Sequence, residues 1–168
     1  MNDKTLLFLA LFFCAAIAEA AAPQQIQPPA GQKEVLTVHA EGDQIYQCAT
    51  VKDGYAWTLK APDARLYDDR SRIVGNHYAG PVWEYQDGSQ VAGRVLKKLD
   101  MTPASAIPWL LLEAAAHKGQ GVLAKVDFIN RVHTKGGLAP DSGCDANHPG
   151  AEKRVPYTAD YVFYAKAL

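Results

Sequence analysis

Two carboxylates lie among aromatic residues between positions 77 and 87, and they are the first candidates for chemistry. Glu84 follows Trp83 directly, and Asp87 closes the segment. A carboxyl group packed against aromatic rings can have a raised pKa and act as a general acid, as in glycoside hydrolysis. In the alternative, Trp83 and Tyr85 pack inward and Glu84 faces solvent. Asp87 is then only a turn residue, and the order of residues favours this second interpretation.

The aromatic residues suggest a binding role. The chain has 3 Trp and 8 Tyr, whose apolar rings with polar edges suit a cleft for a sugar or a small molecule. Filling a core is the simpler role for most of them. The candidate ligand contacts are His77, Tyr78, Trp83, Glu84 and Trp109.

Three functions remain open from the sequence. The first is a non-enzymatic domain that binds a small molecule, a glycan or a surface component. The second is a secreted hydrolase with Glu84 or Asp87 as its acid. The third is a structural protein of the cell envelope or of stress conditions that has no ligand.

A glycine pattern resembles a dinucleotide-binding sequence but lacks its context. Gly119-Gln-Gly-Val-Leu-Ala124 matches G-x-G-x-x-A. That site needs a helix opening at the glycines within a βαβ unit. Here the residues that follow alternate like a strand, which indicates a tight turn between strands.

Other catalytic and metal signatures are missing from the sequence. The 5 His and 3 Cys show no H-x-H, H-x₃-H or C-x₂-C spacing, and no Gly-x-Ser-x-Gly occurs. His39 and His133 are expected to be surface residues on the polar faces of their strands. The sequence therefore predicts no metal and no cofactor.

The first twenty residues have the order of a secretory signal peptide. Lys4 precedes an uncharged run over 5–18, and Ala18-Glu-Ala20 is a small-x-small cleavage site. A run of about 14 residues is too short to span a bilayer, which takes about 20. We expect cleavage after Ala20 or Ala22, a secreted or periplasmic protein, and no stable membrane anchor afterwards.

Export decides how the cysteines and charges are interpreted. Cys14 leaves with the signal peptide, and in an oxidising compartment Cys48 and Cys144 form a disulfide. The alternative is two free thiols, one of them a nucleophile beside His148. Loss of Asp3, Lys4 and Glu19 takes Lys+Arg from 17 to 16 and Asp+Glu from 18 to 16. A neutral chain argues against a nucleic-acid partner.

Hydrophobic residues recur with a period of two beyond a Pro/Gln/Ala-rich tether at 21–32, so a single β domain is predicted over 33–168. Glu41-Gly-Asp43, Pro62-Asp63 and Asp87-Gly88 are expected turns, the last of type I′. In the late strand, Val126, Phe128 and Val132 are expected to face the core and Arg131 the solvent. The predicted strands are 35–40, 45–49, 55–61, 64–67, 73–78, 82–86, 89–96, 122–134 and 155–165.

The segment 105–117 is ambiguous, because its composition favours a helix while its short apolar run also fits a buried strand. Several short strands with Gly, Pro and Asp turns predict an all-β fold. The expected architecture is a single antiparallel β-sandwich or barrel of about nine or ten strands, with little helix apart from the signal peptide.

The order of several motifs resembles one known family. They are Gln44-Ile-Tyr-Gln-Cys48, Val74-Gly-Asn-His-Tyr-Ala-Gly-Pro-Val-Trp-Glu84, Ile107-Pro-Trp-Leu-Leu-Leu112, Arg131-Val-His-Thr-Lys-Gly-Gly137 and Tyr157-Thr-Ala-Asp-Tyr161. The chain from Pro29 on is similar to the family catalogued as domain of unknown function 3455, exported proteins of bacteria and fungi. The resemblance implies a β-rich fold, a Cys48–Cys144 pair and a strand over 107–113, but it implies no activity.

Overall fold

Eight antiparallel strands close into a barrel in the computed structural model, which describes residues 22–100 and 104–167. Two short 3₁₀ helices, Gln24–Ile26 and Val122–Lys125, accompany them. No helix in this part of the chain is long and apolar enough to cross a membrane. The strands are β1 Gln32–Val51, β2 Gly54–Tyr67, β3 Ile73–Tyr78, β4 Val82–Tyr85, β5 Gln90–Leu99, β6 Trp109–Lys118, β7 Phe128–Gly136 and β8 Glu152–Lys166.

The barrel closes where the first strand meets the last. Each strand pairs with the next along the chain, and β1 also pairs with β8, from Gln32 opposite Lys166 to Gln47 opposite Glu152. The predicted all-β antiparallel fold is therefore confirmed, and of the two expected architectures the chain adopts the barrel. Among the described residues, β2 before Ala64 pairs with β1 alone and β5 beyond Ala92 pairs with β6 alone, so these two stretches each keep one unpaired edge.

Two of the predicted turns lie inside strands, which is why ten expected segments, counting 107–113, become eight strands. Gly42 lies within β1, where a Cβ atom would come to 2.2 Å from the carbonyl oxygen of Asp63. The glycine thus permits close approach of two strands instead of a reversal. Pro62 lies within β2 opposite Gln44, at a point where β3 does not pair with β2. Its missing N–H is tolerated because this stretch has a neighbour on one side only.

The ambiguous segment forms a strand, so the helix favoured by its composition is wrong. Leu110, Leu111 and Leu112 in β6 are 8%, 2% and 2% exposed. Leu110 and Leu112 pack into the barrel interior, while Leu111 packs on the outer wall against Ile26 and Val132. A strand buried on both faces gives a continuous apolar run, which resembles a helix in sequence.

Val126 is buried in the interior cluster as expected, but the expected facing is reversed within β7. The first residues of the predicted late strand, Val122–Lys125, form a 3₁₀ helix, so alternation starts only in β7. Ile129 packs into the interior and Arg131 lines a cavity there, whereas Val132 faces the outer wall. The outer wall is itself covered, so both faces of this strand carry apolar residues. The sequence pattern therefore does not show which face points to the interior.

The covering comes from residues expected to form an extended tether. Ile26 is fully buried, and its carbonyl oxygen accepts a hydrogen bond of 2.8 Å from the side-chain amide of the buried Asn130. One apolar residue and one buried amide thus attach a segment whose composition indicates a linker. The predicted signal peptide over 1–20 lies outside the described residues.

The predicted disulfide is present and attaches a long loop to the barrel. Cys48 and Cys144 are bonded, with their Cα atoms 5.3 Å apart. Next to it, the backbone of Cys48 exchanges hydrogen bonds with Gly150 and Ala151, and the indole of Trp57 donates to the carbonyl of Ser142. The free-thiol alternative is therefore wrong, and His148 instead bonds the neighbouring Asp145.

Candidate ligand-binding site

A cavity of about 410 Å³ reaches from the aromatic interior of the barrel to its surface. Its inner wall includes the buried Leu110 and Leu112, and its rim includes Leu59 and Val95, which are 55% and 50% exposed. Its polar lining residues are Gln44, Lys60, His77, Trp83, Arg131 and Tyr161. A concave, mostly apolar space of this size with a few polar groups is typical of small-molecule sites.

His77 and Trp83 form one wall of the cavity because they are paired neighbours on β3 and β4. Their rings stack at a centroid distance of 4.4 Å and an angle of 10°. The ring of Tyr161 on β8 meets both at its edge, at 5.0 and 5.1 Å. Two consecutive strands and the last strand of the chain thus supply one aromatic wall.

His77 is a neutral histidine. Burial lowers its pKa to about 3, against a hydrogen bond to the Val82 carbonyl that favours the charged form. The Nδ1–H donates to that carbonyl at 2.9 Å. Because a carbonyl oxygen only accepts, the neutral ring carries its proton on Nδ1, and Nε2 is left as an acceptor.

Arg131 places a positive charge at the cavity. Its Nε and Nη2 donate to the carbonyl oxygen of Pro108 at 3.0 and 2.9 Å. Among the described residues it forms no ion pair with a carboxylate. Burial raises the pKa of Tyr157 and of Tyr161, and the Arg131 charge opposes that rise in both.

Two donors beside the cavity have no acceptor. The side-chain nitrogen Nε2 of Gln44 and the indole Nε1 of Trp83 are buried and have no hydrogen-bond partner within the described chain. Gln44 and Trp83 are each only 1% exposed. No Asp or Glu lies among the described residues that line the cavity.

The other candidate contacts lie elsewhere. Glu84 follows the inward Trp83 and points to the opposite face of β4, where it accepts hydrogen bonds from Tyr78 at 2.9 Å and Gln90 at 3.1 Å. Trp109 packs on the outer wall, with its ring edge-on to His133 at 5.1 Å. Of the five candidates, the structure brings His77 and Trp83 together at the cavity and leaves Tyr78, Glu84 and Trp109 outside it.

Asp87 joins the β4–β5 hairpin to the first residue of the second 3₁₀ helix. Its carboxylate accepts from the backbone and hydroxyl of Ser89 and from the backbone N–H of Val122. Partial burial favours a higher pKa, but these hydrogen bonds outweigh it and hold the pKa of Asp87 below its usual value. The type I′ turn is wrong, because Gly88 has a positive φ of 83° while Asp87 does not.

We expect Asp87→Asn to lower the free energy of unfolding by about 1 kcal/mol. The amide NH₂ of asparagine would face either the Val122 N–H or the two donors of Ser89, its N–H and its hydroxyl, so at least one hydrogen bond is lost. Urea denaturation of the variant measures this. Asp69→Asn in the exposed β2–β3 turn is the matched control and should leave the midpoint unchanged. Equal midpoints for Asp87→Asn and the parent would contradict the structural role.

Two surface histidines share one carboxylate, a feature that the sequence did not predict. His39 Nδ1 lies 2.7 Å from one oxygen of Asp160 and His133 Nδ1 lies 2.8 Å from the other. The register explains this, because His39 on β1 and Val132 on β7 both pair with Asp160 on β8. No metal-binding group of three His, Cys, Asp or Glu occurs in the described residues.

Together the fold and the cavity define a class of protein: a closed eight-stranded antiparallel β-barrel with a ligand-sized cavity in its interior. The chain belongs to the family described as protein of unknown function (DUF3455), whose sequence profile matches residues 29–165. The match spans the barrel to within one residue of the end of β8 and confirms the resemblance found in the sequence motifs. A search of curated proteins and a search of solved structures found no match.

Proposed function

We propose that this protein binds a small molecule in the interior cavity and performs no chemistry on it. The observation that carries the proposal is the composition of the cavity wall. Apolar side chains and a stacked His77–Trp83 pair surround a few hydrogen-bonding groups, two of them donors without partners. This is the arrangement by which sites hold and orient a ligand. The apolar rim favours a small molecule over a glycan.

The hydrolase alternative finds less support. General acid catalysis by paired carboxylates needs both acids at one cleft. Glu84 faces away from the cavity, where Tyr78 and Gln90 bond it. Asp87 has a pKa below its usual value and is occupied in bonding a turn. A neutral histidine without an acidic partner gives the cavity no general acid–base pair.

We also propose that the protein works outside the cytoplasm and has no nucleic-acid partner. The signal-like segment at 1–20 and the Cys48–Cys144 bond support an oxidising compartment. The formal net charge of −1 gives no excess of basic residues for phosphate binding.

Binding of the uncharged fluorophore N-phenyl-1-naphthylamine tests the cavity. We expect a saturable rise in fluorescence with the oxidised protein. Val95→Trp places a large ring at the rim and should weaken binding by about tenfold or more, which is about 1.4 kcal/mol. Leu96→Trp is the matched control, because Leu96 is similarly exposed at 41% but does not line the cavity. The absence of saturable binding, or equal loss in both variants, would rule the cavity out.

A further inference from the structure

We propose that the ligand of this cavity is an apolar monocarboxylic acid, whose carboxylate pairs with Arg131 and whose body lies against the apolar wall. The inference rests on the proposed function and names the chemical class of its ligand.

The first argument is charge. Arg131 is half-buried, lines the cavity and has no carboxylate partner among the described residues. A cation withdrawn from water is costly unless a counter-charge pairs with it. The other cation of the lining, Lys60, already pairs with Glu152. One unpaired guanidinium therefore calls for one negative charge, and a monoanion supplies it.

The geometry of the guanidinium suits a carboxylate. Arginine has five N–H donors arranged as a planar fork that matches the two oxygens of a carboxylate. Two of its nitrogens bond the single carbonyl of Pro108, which fixes the position of the group on β7. This anchoring leaves further N–H donors to bind an oxygen anion without first ordering the side chain.

The second argument is the excess of donors. The Gln44 amide nitrogen and the Trp83 indole nitrogen are buried without acceptors. Leaving a buried donor unpaired costs about 1–3 kcal/mol. Both side chains line the same cavity as Arg131, so an oxygen-rich head group is the partner that matches all three. A cation would meet the positive charge of Arg131 there, and no carboxylate among the described lining residues could pair with it.

The third argument concerns the rest of the ligand. Leu59 and Val95 at the rim are large apolar side chains that are half exposed or more, and Leu110 and Leu112 continue the apolar wall inward. Removing apolar surface from water contributes about 25 cal/mol per Å². A hydrocarbon chain or an aromatic ring would gain this contribution along the wall, whereas a small hydrophilic acid would not.

Competition between matched ligands tests whether the cavity prefers a carboxylic acid. Octanoate and 1-octanol share a hydrocarbon chain and differ in the head group, and each is titrated against bound N-phenyl-1-naphthylamine. We expect octanoate to compete at about tenfold lower concentration than 1-octanol, or about 1.4 kcal/mol. Equal competition would overturn the acid class while the cavity remained a binding site. If the fluorophore itself fails to bind, the proposed function fails instead.

Variants then assign the preference to residues. Arg131→Gln should abolish the preference for octanoate, and Arg131→Lys should keep part of it, because the charge stays but the fork is lost. Gln44→Leu removes a donor with no protein partner, so it should fold well and bind octanoate several-fold more weakly. Gln47→Leu on the same strand does not touch the cavity and is its control. Should Arg131→Gln fail to fold, unchanged octanoate binding in Arg131→Lys and Gln44→Leu would overturn the assignment.

Discussion

Replacing both Cys48 and Cys144 with alanine is expected to lower the free energy of unfolding by about 4–5 kcal/mol. The bridge joins residues separated by 96 positions. In the chain-entropy description, a crosslink closing about 100 residues restricts the unfolded chain by about 4.7 kcal/mol. Domains of this size have only about 5–15 kcal/mol of stability in total. The change therefore removes a large part of what keeps the barrel folded.

Urea denaturation of the double variant and of the parent, with and without reductant, measures the effect. The reduced parent should unfold close to the variant, and reductant should not shift the variant itself. Hydrogen exchange should show loss of protection first in the loop over 138–150, where few backbone bonds hold it to β1. A loss below about 1 kcal/mol would show that the loop is held by its other contacts and that the crosslink adds little.

The sequence predicted the class of fold because period-two alternation and turn residues are local signals. The ends of the strands were harder to predict from the sequence. Gly and Pro commonly form turns. Here Gly42 instead allows the backbone of β2 to approach closely, and Pro62 lies where its strand has one partner only. Whether such a residue bends the chain or fits a crowded pair depends on the strand opposite, which sequence patterns do not contain.

The site was predictable only in part, for a related reason. Alternation separates Trp83 from Glu84, so the sequence correctly favoured an inward ring and an outward carboxylate. The cavity also needs Gln44 and Arg131, which come from strands at opposite ends of the chain. Arg131 was expected to face solvent, because alternation places Phe128 and Val132 together on the opposite face of the strand. Those two pack instead on the outer wall under Ile26, and that cover could not be foreseen from a segment rich in Pro and Gln.

The buried His77 is expected to make the protein less stable as the pH falls from 7.5 to 5. Burial sets its pKa in the folded protein at about 3, below the value near 6.5 in the unfolded chain. Above pH 6.5 His77 is neutral in both the folded and the unfolded state, so its contribution to stability does not change with pH. Below pH 6.5 the unfolded state takes up the proton first, so folding is penalised by about 1.4 kcal/mol for each pH unit. Stability should therefore fall by about 2 kcal/mol by pH 5.

His77→Phe separates this effect from the other titrating groups. Phenylalanine keeps a ring stacked on Trp83 but leaves the Val82 carbonyl without its donor, so the variant should be less stable at pH 7.5. Its stability should then change little between pH 7.5 and 5, because the carboxylates titrate mainly at lower pH. His148→Gln on the exposed disulfide loop should keep the parental slope. A similar slope in His77→Phe would place the acid sensitivity elsewhere and remove the evidence that a neutral imidazole lies in the cavity wall.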